Sequence, residues 1–354
     1  MCFCVLLFLL ISEQITKETF IKKIISIILI CTFILVIAPL NVVAENSNSS
    51  ATIDISKYAN EELDLTQYTY DDIACMTIQE YIALVRDFER VYDPYGSYSF
   101  ESSVCDSIST NSDVVSPLWT SGTVEDGEWV EVGCHEIITA TACSILINDK
   151  GFYSKTAAEP LAISLLISLA SILPDKDERG SFPWYFAGHF YDPDTGMNYR
   201  NDTTDTAKFH AESHYYAAVA AAYRGDMDSA YEYLGRCLHY IQDMSVPHHA
   251  TNITGLNRSH TSFENYVHEN AETFLKDYTS LPNSYYTTTL NSNISSLAHN
   301  AAVFAKPKAS LVDNVLNKSN WNTVGKQCIQ SAVKYSVMVM YKFSTAQGVP
   351  FYPN

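Results

Sequence analysis

Seven long stretches of helical hydrophobic periodicity occupy most of the chain between residues 135 and 344 and constrain its fold more than any other feature. They cover residues 135–149, 159–173, 206–225, 227–244, 259–278, 295–306 and 322–344. Apolar residues recur in them at intervals of three and four, as in helices that bury one face. Alternating patterns that would indicate strands are few, and no internal repeat is present. The sequence therefore predicts an all-α, compact multi-helix domain.

The first 44 residues have the features of an export signal. Lys22 and Lys23 precede the apolar run 24–40, and the small residues 42–44 precede a polar stretch that begins at Glu45. A basic start, an apolar core and a small residue at the cut are typical of a secretory signal peptide. An uncleaved anchor is the alternative, but the run is short for the roughly 20 residues of a membrane span. We expect residues 1–44 to be removed, giving a secreted, extracellular protein with no integral membrane span.

Residues 45–118 differ in composition from the helical region. They carry 14 Asp/Glu residues against three Lys/Arg residues, with Ser/Asn-rich loops around one predicted helix at 76–92. We interpret this segment as an acidic propeptide or N-terminal appendage. The helical domain would then be residues 119–354.

Charge and cysteine content exclude several classes of protein. The chain has 22 Lys+Arg against 40 Asp+Glu, a net charge of −18, which argues against a nucleic-acid partner because phosphate binding needs basic stripes. Beyond the signal lie Cys75, Cys105, Cys134, Cys143, Cys237 and Cys328. They permit disulfides without fixing a pairing. No CxxC pair occurs, which excludes a zinc ribbon or a thioredoxin-type motif.

The run HYIQDMSVPHHATN (239–252) carries residues that bind metals. His239 and Asp243 are four residues apart and share one helix face. Pro247 cannot continue that helix and places His248 or His249 in the following turn. Zinc takes imidazole nitrogen and carboxylate oxygen, so this run predicts part of a metal site.

Other stretches contribute the same residue types. His260 and Glu264 repeat the four-residue spacing on the next predicted helix, and His189 and Asp175 lie upstream in AGHFYDPD and LPDKDE. Each feature alone is more often an ordinary polar contact. Several of them in order on predicted helices favour a metal site, because surface solvation does not require them together.

A second histidine pair does not fit a protease. His210 and His214 in HAESH are four apart, but a zincin protease has H-E-x-x-H, with its glutamate directly after the first histidine. Here Ala211 takes that place and Glu212 comes one residue later. We expect this pair to be structural, facing solvent or a neighbouring helix.

The metal-ligand run resembles the signature H-Y-x-x-D-x-x-x-P-x-H-x-x-N of the bacterial zinc-dependent phospholipase C family. AGHFYDPDTG and the YLGRCLHY helix also fit, and the likeness extends from about Trp119 to the last predicted helix. It implies an all-α fold, related to that of single-strand nucleases, with three zinc ions in one cleft.

Carried over by position, the resemblance implies the ligands of each ion. The first zinc would be held by Asp175, His189, His239 and Asp243, the second by His249, His260 and Glu264, and the third by His135 with Asp243 as a bridge. Family members complete the third site with a mature N-terminal tryptophan, a role that Trp119 could fill only after processing. Without that cut the site is incomplete or uses another ligand, such as Cys134.

The family's choline pocket is matched only in part. Phe186 fits one of its aromatic positions, and Lys176 stands where another aromatic residue is expected. Phe186 is therefore the candidate substrate-binding residue, and a preference for choline does not follow.

The implied activity is hydrolysis of the phosphodiester of glycerophospholipids at a membrane surface by a metal-activated hydroxide. The products would be diacylglycerol and a phosphorylated head group. Asp175 is the candidate for orienting the water or acting as base, and Asp243 the candidate bridging ligand. We expect a monomer. The alternatives are a single-strand nuclease on the same scaffold, disfavoured by the acidic charge and the His260–Glu264 pairing, and a non-catalytic zinc-stabilised surface module.

Overall fold

A computed structural model gives the fold of the chain and describes residues 53–92, 94–95, 124–125, 128–129, 133–151, 157–178, 185–255 and 257–347. Its α-helices in the described ranges are α1 (Tyr70–Cys75), α2 (Ile78–Tyr92), α3 (Cys134–Lys150), α4 (Ala158–Ala170), α5 (Leu173–Glu178), α6 (Ala207–Tyr223), α7 (Met227–Asp243), α8 (Arg258–Glu269), α9 (Ala271–Leu275), α10 (Asn283–Leu290), α11 (Ile294–Ala305), α12 (Ala309–Val312) and α13 (Trp321–Gln347). A two-residue antiparallel hairpin pairs β1 (Val124–Glu125) with β2 (Glu128–Trp129). The predicted all-α class is confirmed.

Capping side chains fix where several of these helices begin. Thr206, Asp226, Asn257 and Asn293 each accept a hydrogen bond from a free backbone N–H in the first turn of α6, α7, α8 and α11. Such a cap contributes about 1 kcal/mol. Gly225 adopts φ +76° between α6 and α7, a left-handed turn that glycine makes without steric cost. It lets α7 turn back against α6, its main packing partner.

The core lies between α7 and the helices around it. α13, 27 residues long, packs against α3 and α7 and covers the shorter helices α8 to α12. α7 also crosses α4 at very close range at Gly235. A Cβ atom there would lie 2.4 Å from Ala170 Cβ and 2.6 Å from the Ile167 carbonyl oxygen. Only glycine allows the two backbones to approach so closely.

Part of the acidic N-terminal segment packs into the same core. Leu65 and Phe88 are completely buried, and Tyr58 is 6% exposed. The Tyr81 hydroxyl donates to Ser164 Oγ on α4 at 2.9 Å. The predicted boundary at residue 118 lies outside the described residues, as does the whole of the predicted signal, 1–44.

Two predicted helices are divided in the structure. The stretch predicted as 159–173 ends at Ala170, and α5 starts at Leu173, because Pro174 lacks the N–H that a continuous helix needs. The stretch predicted as 259–278 breaks at Asn270, whose backbone (φ −109°, ψ 4°) leaves the helical region between α8 and α9. Helix α10 was not predicted, because its Thr-rich sequence has weak helical propensity.

Within the described residues, one stretch is long and apolar enough to cross a membrane, and it lies inside the domain. Ala158–Asp177, 20 residues long, has the hydropathy of a membrane span, yet its apolar window is 100% buried within the protein. Cys134, Cys143, Cys237 and Cys328 are buried free thiols. In the part of the chain that the structure describes, these four cysteines form no disulfide.

Candidate metal centre

The last turn of α7 places two donors side by side. His239 and Asp243 are one turn apart on the buried face of this helix, 0% and 2% exposed. The Nε2 atom of His239 lies 3.3 Å from Asp243 Oδ2. A helix rotates about 100° per residue, so residues four apart project in nearly the same direction. The predicted pairing within α7 therefore appears as a direct contact.

The break between α4 and α5 contributes to the same site. The Ser171 carbonyl oxygen, released from regular helix there, accepts a hydrogen bond from Nδ1 of His239 at 2.8 Å. This bond fixes the ring so that Nε2 faces the cluster. The break also lets α5 bring Asp175 alongside, with its Oδ1 3.5 Å from His239 Nε2. Arg236 on α7 holds α5 through Asp177 at 2.6 Å.

His189 joins this group from the 3-10 turn Tyr185–His189. Its Nδ1 lies 2.7 Å from Asp243 Oδ2, 3.0 Å from His239 Nε2 and 3.8 Å from Asp175 Oδ1. The turn passes so close to α6 that a Cβ atom at Gly188 would lie 2.8 Å from His210 Nε2. Four side chains from three separate stretches thus converge on one buried point.

His135 approaches the same point from the first turn of α3. Its Nε2 lies 3.5 Å from Asp243 Oδ1 and 4.0 Å from Asp175 Oδ2. On the other side of the ring, Nδ1 lies 2.7 Å from Gln242 Oε1. The two oxygens of Asp243 therefore face different imidazoles, Oδ1 toward His135 and Oδ2 toward His189 and His239.

A second cluster is formed by His249, His260 and Glu264. Glu264 Oε1 lies 3.1 Å from His249 Nε2 and 2.9 Å from His260 Nε2. His260 and Glu264 are one turn apart on α8, and His249 comes from the 3-10 turn after α7. Nδ1 of His249 donates to the His189 carbonyl oxygen at 2.8 Å, which links the two clusters through the backbone.

The neighbouring His248 takes a different position. Its ring stacks on that of His260, with centroids 4.9 Å apart and planes 6° apart. Its Nε2 lies 3.4 Å from Ser259 Oγ. Burial and the charge of His260 lower the pKa of His248 to about 3. His249 is therefore the residue of this pair that faces Glu264, and His248 supports a ring of the cluster from behind.

The electrostatics of the two clusters are strongly coupled. Burial raises the pKa of Asp243, but the charges of His239 and His249 and the hydrogen bond from His189 outweigh it and hold that pKa well below its usual range. Burial also raises the pKa of Glu264, but His260 and His249 outweigh this effect and lower that pKa to about 2. Both carboxylates are thus ionised at neutral pH, which is the form that binds metal.

The tautomers of the cluster histidines show whether a cation fits between the side chains. Nδ1 of His239 and of His249 donates to a backbone carbonyl, which leaves Nε2 of each ring facing a carboxylate. Gln242 sets the same tautomer in His135. The amide nitrogen Nε2 of Gln242 donates to the Thr139 and Ser336 hydroxyls, so the amide oxygen Oε1 of Gln242 is left to accept from Nδ1 of His135. A ring nitrogen 3.1–3.5 Å from a carboxylate oxygen is favourable only when a proton or a metal cation lies between them.

The donor set agrees with zinc. Three groups have ligand atoms that all lie within 4.8 Å of one another: His135, Asp175 and His239; His189, His239 and Asp243; and His249, His260 and Glu264. All of these side chains are buried, and imidazole with carboxylate is a zinc-type combination. The residues present therefore fit this ion.

The structure also places the remaining sequence-based candidates. The Phe186 ring lies 5.6 Å from that of His189 and is partly exposed, at the border of the first cluster. Trp119 lies outside the described residues. His210 bonds Asp205 at 2.8 Å, and both His210 and His214 stack on Tyr240, as expected for a structural pair.

Sequence reasoning missed the groups that orient the candidate ligands. Gln242, adjacent to Asp243, and the Ser171 carbonyl fix the rings of His135 and His239. Pro174, directly before Asp175, was the available signal for the helix break that frees this carbonyl. The role of Gln242 had no such signal, because it depends on α3 and α13 meeting α7.

Comparisons with known proteins agree with this geometry. Residues 135–304 match the family model described as zinc dependent phospholipase C. A phospholipase C of Clostridium perfringens (strain 13 / Type A) is 29% identical over 178 residues, 44% of this chain and 44% of the relative. One from Bacillus cereus is 33% identical over 147 residues, 39% of this chain and 50% of the relative. The chain thus spans about half the length of these curated relatives.

A solved structure shares the fold. The alpha toxin from Clostridium absonum superposes with a TM-score of 0.52 at 23% sequence identity, covering 61% of this chain and 64% of the toxin. At that identity the likeness supports the helical architecture alone.

Proposed function

We propose that the protein is a secreted zinc-dependent phospholipase C, because residues 135–304 match the model of that family. It would hydrolyse the phosphodiester of glycerophospholipids at a membrane surface, giving diacylglycerol and a phosphorylated head group. It would act outside the cell as a monomer. The observation that carries this proposal is that eight buried imidazoles and carboxylates form three close groups, two of which share His239.

The proposed ligands follow the two clusters. Asp175, His189, His239 and Asp243 would hold one zinc; His249, His260 and Glu264 would hold a second; and His135 with Asp243 would hold a third. Trp119 would complete the third site only if processing made it the N-terminus. When bound, zinc lowers the pKa of a coordinated water to about 7 and neutralises charge on phosphoryl oxygens.

The chain's own residues have distinct proposed tasks. Asp243 directs one oxygen at His135 and the other at His189, and so keeps the imidazoles at fixed separations. Asp175 has the largest exposed fraction of the three cluster carboxylates, 5%, which suits a base that must meet the attacking water. Its proposed role is to orient that water and accept its proton.

Phe186 is the proposed contact for the lipid head group. Its ring is partly exposed beside His189, where an alkylated ammonium group could pack on its face. Lys176, at the position where the family pattern has an aromatic residue, donates instead to Glu89 at 2.7 Å. One aromatic contact in place of two predicts little discrimination between choline and ethanolamine head groups.

The test is a substrate comparison with the zinc-loaded protein. Vesicles of phosphatidylcholine or of phosphatidylethanolamine and, separately, single-stranded DNA are incubated with it, and diacylglycerol, phosphorylated head group and nucleotides are measured. We expect diacylglycerol from both lipids and no nucleotides. Cleavage of DNA alone would instead establish the nuclease alternative. Full zinc loading without turnover of any substrate would establish the non-catalytic module.

A further inference from the structure

A continuous set of ion pairs joins the acidic N-terminal segment to the metal centre. Arg86 on α2 donates from Nη1 to Glu89 at 3.0 Å and from Nη2 to Glu136 on α3 at 3.2 Å. Glu89 also accepts from Lys176 Nζ on α5 at 2.7 Å. We call the set Glu136–Arg86–Glu89–Lys176 the ion network.

Both ends of the ion network lie next to proposed zinc ligands. Glu136 directly follows His135 and also accepts from the Gly133 backbone N–H at 2.7 Å, which caps the start of α3. Lys176 directly follows Asp175 on α5. Through Arg86 and Glu89, helix α2 therefore holds the two turns that present His135 and Asp175.

The ion network is buried to a degree that surface ion pairs are not. The Glu89 and Glu136 side chains are each 1% exposed, Lys176 is 13% exposed and Arg86 is 18% exposed. Removing one partner of such a buried set leaves an uncompensated charge, which is strongly destabilising. A segment that is discarded after folding would impose that penalty on the helices that carry the site.

Apolar packing gives the same indication. Val85 and Phe88 of α2 are 1% and 0% exposed, and Tyr81 of α2 donates to Ser164 on α4. Loss of the segment would expose these contacts on α3 and α4, which form part of the domain's main core. One face of α2 is therefore buried in the domain core.

We infer that residues 53–92 are a permanent part of the folded enzyme, and that Arg86 and Glu89 are positioning residues for His135 and Asp175. The inference rests on the proposed function for its zinc sites. It replaces a propeptide role for this part of the segment with a structural one. Cleavage before Trp119, where it occurs, would leave residues 53–92 bound to the domain without a covalent link.

The first experiment compares two arginines of one helix. Arg86→Met removes the ion network's central cation, and Arg90→Met removes an arginine one turn later that is 50% exposed and bonds only Glu62 and Asp87 in the described contacts. Cobalt(II) affinity and its visible absorption spectrum are measured on the full chain. We expect Arg86→Met to weaken the affinity of the most weakly held ion by about 10- to 100-fold and to change its spectrum. Arg90→Met should change neither.

A merely structural role would give a different result. If Arg86→Met lowers thermal stability yet binds cobalt with unchanged affinity and spectrum, the positioning role is wrong. Glu89→Gln keeps the side chain's volume and decides the comparison in the same way should Arg86→Met fail to fold. The cobalt measurement is independent of lipid turnover, so a protein that binds metal but hydrolyses no phospholipid would refute the proposed function and leave this inference to be judged separately.

The second experiment tests permanence. The exported protein is purified by size exclusion under native conditions, and its chains are identified by intact and peptide mass spectrometry. We expect peptides from residues 53–92 in the peak that contains the helical domain, whether or not the chain is cut before Trp119. A metal-loaded preparation that lacks these residues would overturn the inference.

Discussion

Asp243→Asn is expected to reduce phospholipid hydrolysis by about 10³-fold, equivalent to about 4 kcal/mol of transition-state stabilisation. The Asp243 carboxylate lies within 3.5 Å of His135, His189 and His239, so its single negative charge faces all three imidazoles. The asparagine amide keeps the size of the side chain but removes the negative charge. It also turns N–H groups toward the lone pairs of the neighbouring imidazole nitrogens. Initial rates and bound zinc per chain are measured together, and both should fall.

Asp149→Asn is the matched control for this substitution. Asp149 accepts hydrogen bonds from the Leu281 N–H at 2.7 Å and the Tyr286 hydroxyl at 2.6 Å, near the other end of α3 from His135. We expect it to lower thermal stability while the folded protein keeps its zinc content and turnover. Equal losses of activity in the two variants would show that Asp243 contributes only to stability, and its role as a zinc ligand would be wrong.

Removal of metal by a chelator is expected to lower the melting temperature by about 10 °C. An ion that binds only the folded state at 1,000 times its dissociation constant adds about 4.1 kcal/mol, and each kcal/mol shifts the melting temperature of a domain this large by about 2–4 °C. Without an ion, the ionised carboxylates of Asp243 and Glu264 stay buried among imidazoles, and this arrangement is costly. Differential scanning calorimetry with and without EDTA measures the shift.

Restoring different ions identifies the kind of site. Zinc or cobalt(II), which accept imidazole ligands, should return the melting temperature to its starting value. Magnesium prefers an octahedral shell of oxygen ligands and should have little effect. A melting temperature that EDTA leaves unchanged would mean that the clusters are held by protons and hydrogen bonds instead of metal.

The sequence was sufficient for the helices because their signal is local. Periodicity and breakers predicted α6, α7, α11 and α13 to within three residues at each end. It was insufficient at Asn270 and between α4 and α5, where a single residue changes the backbone within a continuous apolar pattern. The packing of residues 53–92 into the core could not be predicted either, because their acidic, Ser/Asn-rich surroundings resemble those of a detached segment.

The candidate site divides in the same way. The pairs His239–Asp243 and His260–Glu264 follow from helix geometry alone, and the structure shows both as contacts. The assembly of the first pair with His135, Asp175 and His189 depends on three helices and a 3-10 turn meeting, for which only the family resemblance gave an expectation. The roles of Gln242 and of the ion network had no sequence signal, because they depend on residues more than 40 positions apart.

Anomalous diffraction from crystals of the zinc-loaded protein, collected on both sides of the zinc absorption edge, tests most directly whether the two clusters bind zinc. We expect separate peaks about 2.0–2.2 Å from the donor atoms of His239 and Asp243 and from those of His249 and Glu264. Zinc-loaded crystals with peaks elsewhere, or with none at either cluster, would contradict the assignment of these residues as zinc ligands.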